Sequence, residues 1–328
     1  MSMKVQCNLC PKECLIDDSQ SGDCRIRMNI DGELKSVVFS HPCAIHMDPI
    51  EKKPLFHFLP GSKILSIATV GCNLHCLHCQ NWEISQANPE ESEAYYLSTN
   101  DLISLAQKYN TKSIAYTYTE PLAFYEYTLE SSRIAHQNSF GIKNVLVTAA
   151  YINKKPLQEL LKFTDAANID VKAFSERFYR DICKATLKPV LDALILTKEM
   201  GVHVEVTYLI IPTLNDDPLE IKNFIRWFKD NLGVETPLHF SRFHPNYKLT
   251  NLPPTPAETL DRARNEALTA GLKYVYIGNL YSKDSENTFC GNCSKLLIER
   301  NGYTIISNIL KKEGVCPYCN HKIYGVWK

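Results

Sequence analysis

"KILSIATVGCNLHCLHCQNW", residues 63–82, joins a short apolar run to three closely spaced cysteines, Cys72, Cys76 and Cys79, here called the central triad. The run 63–69 is apolar on both faces, which predicts a parallel strand covered by helices. The cysteines then lie on the loop at its carboxyl end, where barrel and open-sheet enzymes place their chemistry. A structural zinc site uses four protein ligands, so three cysteines predict a metal centre with an open position. The alternative is a zinc site completed by Cys43 or a histidine.

The rest of the chain repeats the strand signal at intervals filled by amphipathic stretches. The further strand candidates are 113–118, 144–149, 167–173, 202–210, 237–243 and 274–278. Repeated βα units predict a parallel sheet, in a complete or partial barrel or an open doubly wound sheet. We assign this α/β domain to residues 51–285.

Two of the intervening helices have readable ends. One is predicted to begin after Asp217, with Pro218 in its first turn, and to end at Gly233. For the other, Thr255 is predicted as the N-cap, with Glu258 completing a capping box.

Composition narrows the function classes. The 36 basic and 36 acidic residues give a net charge of zero, so nothing indicates a nucleic-acid partner held by bulk electrostatics. No apolar run is long enough to cross a membrane, and the first residues do not resemble a secretory signal. We therefore expect a cytoplasmic protein, in which 13 cysteines serve metal or redox chemistry rather than disulfides.

Two more cysteine groups flank the α/β domain. The C-terminal group, Cys290, Cys293, Cys316 and Cys319, consists of two Cys-x2-Cys knuckles in a predicted zinc-ribbon-like module, residues 286–328, whose start overlaps the polar linker-like stretch 279–288. This pattern predicts a structural zinc ion. The N-terminal group, Cys7, Cys10, Cys14 and Cys24, lies in a predicted module of residues 1–50. Its spacing is compatible with zinc or with an auxiliary iron–sulfur cluster.

The Cys-x3-Cys-x2-Cys spacing after the first strand resembles the signature of the radical S-adenosylmethionine (SAM) superfamily. Longer segments, including "DPIEKKPLFHFLPGSKILS", "YTYTEP", "FSRFHPNY" and "YIGNL", resemble the radical SAM family of the AmmeMemoRadiSam system, which is related to pyruvate formate-lyase-activating enzymes. The resemblance implies a partial (β/α)6 TIM-like barrel in which the triad holds a [4Fe–4S] cluster. It also implies that SAM binds the fourth iron and is cleaved to methionine and a 5′-deoxyadenosyl radical.

The resemblance also suggests residues that contact SAM. His78 would lie against the adenine and Glu120 near the ammonium group, Ile211 would pack on the adenine, and His244 would reach the ribose or carboxylate. Where relatives tend to have "TNG" after the third strand, this chain has Thr148-Ala149-Ala150.

A strand argument adds Asp170 and Lys172, which point to the same face because they are two residues apart. Inside a barrel, Lys172 would need an anion, for which the SAM carboxylate is a candidate; a purely structural Asp–Lys pair is the alternative. Arg242 could bind an anionic substrate instead. No catalytic residue is assigned.

These observations predict a radical SAM enzyme acting on a small-molecule substrate. The family implies Memo-like and AMMECR-like partner proteins and an electron donor. Two alternatives remain: an activase that installs a glycyl radical on a partner enzyme, and a non-enzymatic zinc-binding interaction module.

Overall fold

The structure is a computed structural model that describes residues 4–138, 140–280 and 284–328. In chain order its strands are β1 Val5–Gln6, β2 Leu15–Ile16, β3 Arg27–Ile30, β4 Glu33–Ser36, β5 Ala44–Pro49, β6 Lys63–Ala68, β7 Ser113–Tyr116, β8 Lys143–Thr148, β9 Ala166–Val171, β10 His203–Ile210, β11 Leu238–Arg242, β12 Val275–Gly278, β13 Thr288–Phe289, β14 Leu296–Asn301 and β15 Thr304–Asn308. Its α-helices are α1 Trp82–Ser85, α2 Thr99–Lys108, α3 Tyr125–Gln137, α4 Lys154–Leu161, α5 Glu176–Phe178, α6 Leu187–Glu199, α7 Pro218–Leu232 and α8 Ala257–Thr269. A π-helical turn, Tyr179–Cys183, follows α5.

The central sheet has eight strands in the order β12-β11-β10-β9-β8-β7-β6-β5. Strands β6 to β12 are parallel and match the seven predicted runs, whereas β5 pairs with β6 in the antiparallel direction. The six crossovers carry α2, α3, α4, α6, α7 and α8. The predicted α/β fold is therefore confirmed, with six βα units followed by a seventh parallel strand. All four residues of β7 are buried, as expected for a strand covered on both faces.

One of the two predicted helix starts is wrong. Helix α7 begins as expected, because a side-chain oxygen of Asp217 accepts hydrogen bonds from the N–H groups of Leu219 and Glu220. Helix α8 has Pro256 at its N-cap and no side-chain cap. The Thr255 hydroxyl instead donates to the Ile210 carbonyl at 2.6 Å and accepts from the Phe243 N–H, so it joins the ends of β10 and β11.

The N-terminal segment forms two hairpins, β1–β2 and β3–β4. The second turns at Asp31 and Gly32, whose positive φ values of 55° and 84° suit a tight two-residue turn. The central sheet itself begins at β5, before the boundary predicted at residue 50, and that boundary stays a prediction.

The C-terminal segment forms the antiparallel sheet β13-β14-β15, which packs on the α/β domain. Leu297, Ile298 and Ile323 share one apolar cluster with Phe56 and Tyr276. Residues 281–283 of the predicted linker lie outside the described residues. No helix in the described parts of the chain has both the length and the hydropathy required to cross a bilayer.

Candidate metal and cofactor site

The loop that carries the central triad begins directly after β6, as predicted. Gly71 has a φ of 87°, and a Cβ there would lie 2.4 Å from Ile26 Cγ2 and 2.7 Å from the Cys24 carbonyl oxygen. Only glycine allows the loop to pass this close to the N-terminal segment. The N–H groups of His75 and Leu77 donate to the carbonyls of Cys183 and Ile182, which fixes the middle of the loop.

The central triad faces a cavity of about 640 Å³. This volume is within the usual range for sites that bind small organic ligands. Of the six residues predicted to contact SAM, four line the cavity together with the triad: His78, Glu120, Asp170 and Lys172. The structure thus brings together side chains from the ends of β6, β7 and β9.

Lys172 carries the positive charge next to the triad. Its Nζ lies 2.7 Å from Asp170 Oδ2. Burial acts to lower the pKa of Lys172, but the negative charges of Asp170 and Cys76 outweigh it and raise the pKa. The lysine is therefore a permanent cation beside the thiols.

Glu120 is buried at the cavity wall and is held by three donors. Its carboxylate accepts hydrogen bonds from the Thr148 hydroxyl, from the Ala149 N–H at 2.8 Å and from the Leu122 N–H at 3.2 Å. Burial raises its pKa to about 7 despite these bonds. The segment that departs from the family's "TNG" pattern thus positions this carboxylate.

His78 provides a neutral ring at the same wall. Burial, helped by the charge of Lys172, lowers its pKa to about 3. Among the described residues, its Nδ1 atom is buried without a hydrogen-bond partner. An unpartnered ring nitrogen beside a large cavity fits a site built to receive a polar ligand.

Ile211 and His244 do not lie on the cavity with the other predicted residues. Ile211 is buried in the apolar cluster that includes Cys76, and its N–H donates to Asn215 Oδ1 at 2.6 Å. His244 is exposed beyond the end of β11. Arg242, predicted as a partner for a substrate anion, donates from Nε to the Thr255 carbonyl at 2.8 Å. The SAM contacts of Ile211 and His244 and the substrate contact of Arg242 remain predictions.

Cys183 is a neighbour of the triad that the sequence did not identify. It is fully buried at the end of the π-helical turn. A hydrogen bond from its thiol lowers the pKa of Cys76. Cys43, considered above as a fourth ligand, instead points its thiol at the Ala68 carbonyl.

The opposite end of the cavity contains a second basic region that the sequence also did not identify. Lys53 is 2% exposed, its Nζ lies 2.7 Å from Asp48 and 4.3 Å from the centre of the Tyr118 ring, and burial lowers its pKa to about 8. The β14–β15 turn adds Asn301–Tyr303 to the wall. The cavity therefore runs from the triad to the C-terminal segment.

The C-terminal group has the geometry of a four-ligand metal site. Its four sulfur atoms lie within 4.8 Å of one another, with Sγ–Sγ distances of 3.6 Å for Cys290–Cys319 and 3.8 Å for Cys293–Cys316. Zn–S bonds of about 2.3 Å in a tetrahedron place thiolates about 3.8 Å apart. The N-terminal group is arranged differently and surrounds a small cavity of about 20 Å³.

A three-cysteine loop at the carboxyl end of a parallel α/β sheet, facing a cavity of cofactor size, has the arrangement of a metal-dependent cofactor site. Residues 66–225 match the family model of the radical SAM superfamily. The chain is 48% identical over 321 residues to the uncharacterized protein MJ0808 of Methanocaldococcus jannaschii, covering 98% of this chain and 95% of the relative. The chain therefore carries a radical SAM domain at residues 66–225 and belongs to one family with this relative.

More distant similarities agree with this placement. A pyruvate formate-lyase-activating enzyme of Clostridium pasteurianum is 24% identical over 216 residues, which cover 62% of this chain and 87% of the relative. The fold is similar to that of a radical SAM methyltransferase from Sphaerobacter thermophilus, with a TM-score of 0.52, 14% identity, and coverage of 73% of this chain and 71% of that chain. The superfamily implies a [4Fe–4S] cluster and SAM, and the central triad and its charged cavity fit both.

Proposed function

We propose that this protein is a radical SAM enzyme that abstracts a hydrogen atom from a small molecule. The observation that carries the proposal is the single cavity that joins the central triad to the β14–β15 turn. At 640 Å³ it has room for SAM beside the triad and for a small substrate beyond it. A cluster bound to the triad would supply one electron to SAM, whose S–C5′ bond breaks to give methionine and the 5′-deoxyadenosyl radical.

The chain's own residues would position SAM by charge. Lys172 suits the SAM carboxylate, the carboxylates of Asp170 and Glu120 suit its cationic groups, and His78 offers its ring to the adenine. His78 and Glu120 are buried and Asp170 and Lys172 are half-buried around one cavity, which would limit access of water to the reactive radical.

The far end of the cavity supports a small substrate. Lys53 and Tyr118 provide polar groups there, and Asn301–Tyr303 cover the wall. A protein loop would need an open groove, whereas the C-terminal segment occupies this side. We further propose that the C-terminal group binds a structural zinc ion, and that Memo-like and AMMECR-like proteins act with this enzyme.

A glycyl-radical activase is the second candidate, because one similar protein is a pyruvate formate-lyase-activating enzyme. Under this alternative the substrate is a glycine of a partner protein. Shortening the β14–β15 turn would then leave turnover unchanged or faster, whereas turnover of an enclosed small substrate would fall.

Anaerobic reconstitution with iron and sulfide tests the main proposal. We expect a brown protein that forms 5′-deoxyadenosine from SAM when reduced, with deuterium in that product when the correct deuterated substrate is present. Cys76→Ala should abolish SAM cleavage without unfolding the chain. Cys43→Ala, which lies outside the site, should keep SAM cleavage. A colourless protein that binds only zinc would support the non-enzymatic alternative instead.

A further inference from the structure

The N-terminal group encloses a space between its thiols. Cys7, Cys10, Cys14 and Cys24 all line the cavity of about 20 Å³, and apolar side chains such as Leu9 complete its wall. A cavity of this size is large enough for one water molecule in the metal-free structure. Four soft ligands around an apolar cavity are suited to a metal centre.

The thiol spacing separates a cluster from a single ion. Among the described residues, the C-terminal group is the one set of three or more cysteine, histidine or acidic side chains whose ligand atoms all lie within 4.8 Å of one another. The N-terminal group does not meet this limit, and neither does the central triad. Thiolates that share one zinc ion lie about 3.8 Å apart, whereas those of a [4Fe–4S] cluster bind different irons and lie further apart. The N-terminal group is therefore spaced more widely than the zinc-type group.

Basic side chains also line this cavity. Arg27 is 7% exposed, and its Nε is buried without a hydrogen-bond partner among the described residues. Lys12 lines the cavity as well. Four thiolates leave an iron–sulfur cluster with a net negative charge, and an unpartnered N–H donor beside it is a suitable partner for sulfide or thiolate.

The two cysteine sites are neighbours. Asn73 lines the small cavity, while Cys72 and Leu74, on either side of it in the chain, line the large one. One residue of backbone thus connects the walls of both cavities.

A hydrogen-bond path makes a second connection. Asp23, next to Cys24, lies 2.8 Å from His75 Nε2, and His75 Nδ1 lies 2.7 Å from Gln86 Oε1. Gln86 then contacts the Ser85 hydroxyl at 3.2 Å, which lies 3.2 Å from Cys79 Sγ.

We propose that Cys7, Cys10, Cys14 and Cys24 bind a second [4Fe–4S] cluster, which passes electrons one at a time to the cluster at the central triad. Because all four irons have a cysteine ligand, this cluster has no open position for SAM or substrate, and its place beside the central site suits it to electron transfer. A low-potential one-electron donor reduces it, and it is reoxidised when the central cluster takes up that electron. The transfer step rests on the proposed function; the cluster itself does not.

Metal analysis of two variants tests the cluster. After anaerobic reconstitution, the unmodified chain should hold about eight irons. The triad variant, Cys72→Ala/Cys76→Ala/Cys79→Ala, should retain about four irons and four sulfides per chain. The N-terminal variant, Cys10→Ser/Cys14→Ser, should also retain about four irons. The reduced triad variant should give an electron paramagnetic resonance signal that SAM does not alter. Cys290→Ser is the control and should lose zinc without losing iron.

The second cluster would be overturned if the triad variant held zinc in place of iron. It would also be overturned if Cys10→Ser/Cys14→Ser had the same iron content as the unmodified chain. If a variant does not fold, the electron paramagnetic resonance spectrum of the reduced, unmodified protein tests the proposal instead. We expect two cluster signals, one of which shifts when SAM binds. A single signal would overturn the proposal.

Reduction kinetics test the transfer step. Cys10→Ser/Cys14→Ser should still bind SAM, but reduction of its central cluster by a flavodoxin-type protein donor should slow by at least an order of magnitude. An unchanged rate would remove the relay role. Two clusters without any SAM cleavage in the unmodified protein would instead count against the proposed function and leave the second cluster in place.

Discussion

Lys172 has a position from which a single positive charge acts on the whole candidate site. It pairs with Asp170, and its charge also acts on Cys76, His78 and Glu120. Lys172→Ala should weaken SAM binding about tenfold to a hundredfold, as expected for the loss of a hydrogen bond to a charged group. Titration of the reconstituted protein with SAM measures this, with Lys188→Ala, in an exposed ion pair, as the control. Unchanged SAM affinity would show that Lys172 has only a structural role beside Asp170.

Cys183 should tune the central cluster without binding it. It is buried in one cluster with Cys76, where its thiol acts to lower the pKa of Cys76, and a hydrogen bond to a ligand sulfur favours the more negative, reduced cluster. Cys183→Ala should therefore make the reduction potential more negative by about 40 mV, the one-electron equivalent of about 1 kcal/mol.

A redox titration in the Cys10→Ser/Cys14→Ser background measures this potential at the central site. Cys183→Ser, which keeps a donor, should restore much of the shift. A positive shift in Cys183→Ala, or equal shifts in both variants, would contradict the role.

Spacing along the chain identified the cysteine groups but not their neighbours. The triad and the two four-cysteine groups are local patterns of up to 30 residues, so the sequence carries them directly. Cys183 and Lys53 reach the site only because distant segments fold against it, and no local pattern marks them. Arg242 donates to the Thr255 carbonyl and His244 is exposed. Both positions depend on the path of the chain after β11, which the local sequence does not show.

At the scale of elements, the strands were predictable and the helix ends only partly so. All seven parallel strands matched because continuous apolar runs follow from burial on both faces. Asp217 and Thr255 carry the same capping signal, yet only Asp217 caps a helix. Thr255 bonds to the neighbouring strand ends instead, and such a tertiary contact is not visible in the local sequence.

The N-cap of α7 gives a prediction for a single element. Asp217→Ala should lower the free energy of unfolding by about 1 kcal/mol, because two N–H groups at the helix start lose their acceptor. Glu258→Ala, at the capping box that α8 does not form, should change it by less than about 0.5 kcal/mol. Urea denaturation followed by circular dichroism compares the two variants. Equal losses would mean that both helices depend on their first-turn side chains in the same way.

At the scale of the whole molecule, the flanking segments are integrated into the α/β domain. The N-terminal segment contacts the triad loop at Gly71 and His75. The C-terminal segment bonds to the opposite region, where Arg300 donates to the Phe56 carbonyl at 2.8 Å and Val326 pairs with His57 and Leu59. The sequence indicated the two segments by their cysteines, but it did not indicate that one supports the triad loop and the other lines the cavity.

The C-terminal group should therefore support the stability of the whole molecule. Cys290 and Cys316 belong to the apolar cluster that contains Phe56, Tyr274 and Tyr276, so loss of the metal would expose a face of the α/β domain. Cys290→Ser should remove one zinc per chain and lower Tm, while the iron content stays the same, because metal binding contributes folding free energy to the segment that carries it. Tyr318→Ala, at an exposed position in the same knuckle as Cys316 and Cys319, is the matched control and should keep both zinc and Tm. Zinc analysis and differential scanning calorimetry measure the two effects. A variant that loses zinc without a change in Tm would show that the C-terminal segment keeps its fold and its position on the domain without the ion.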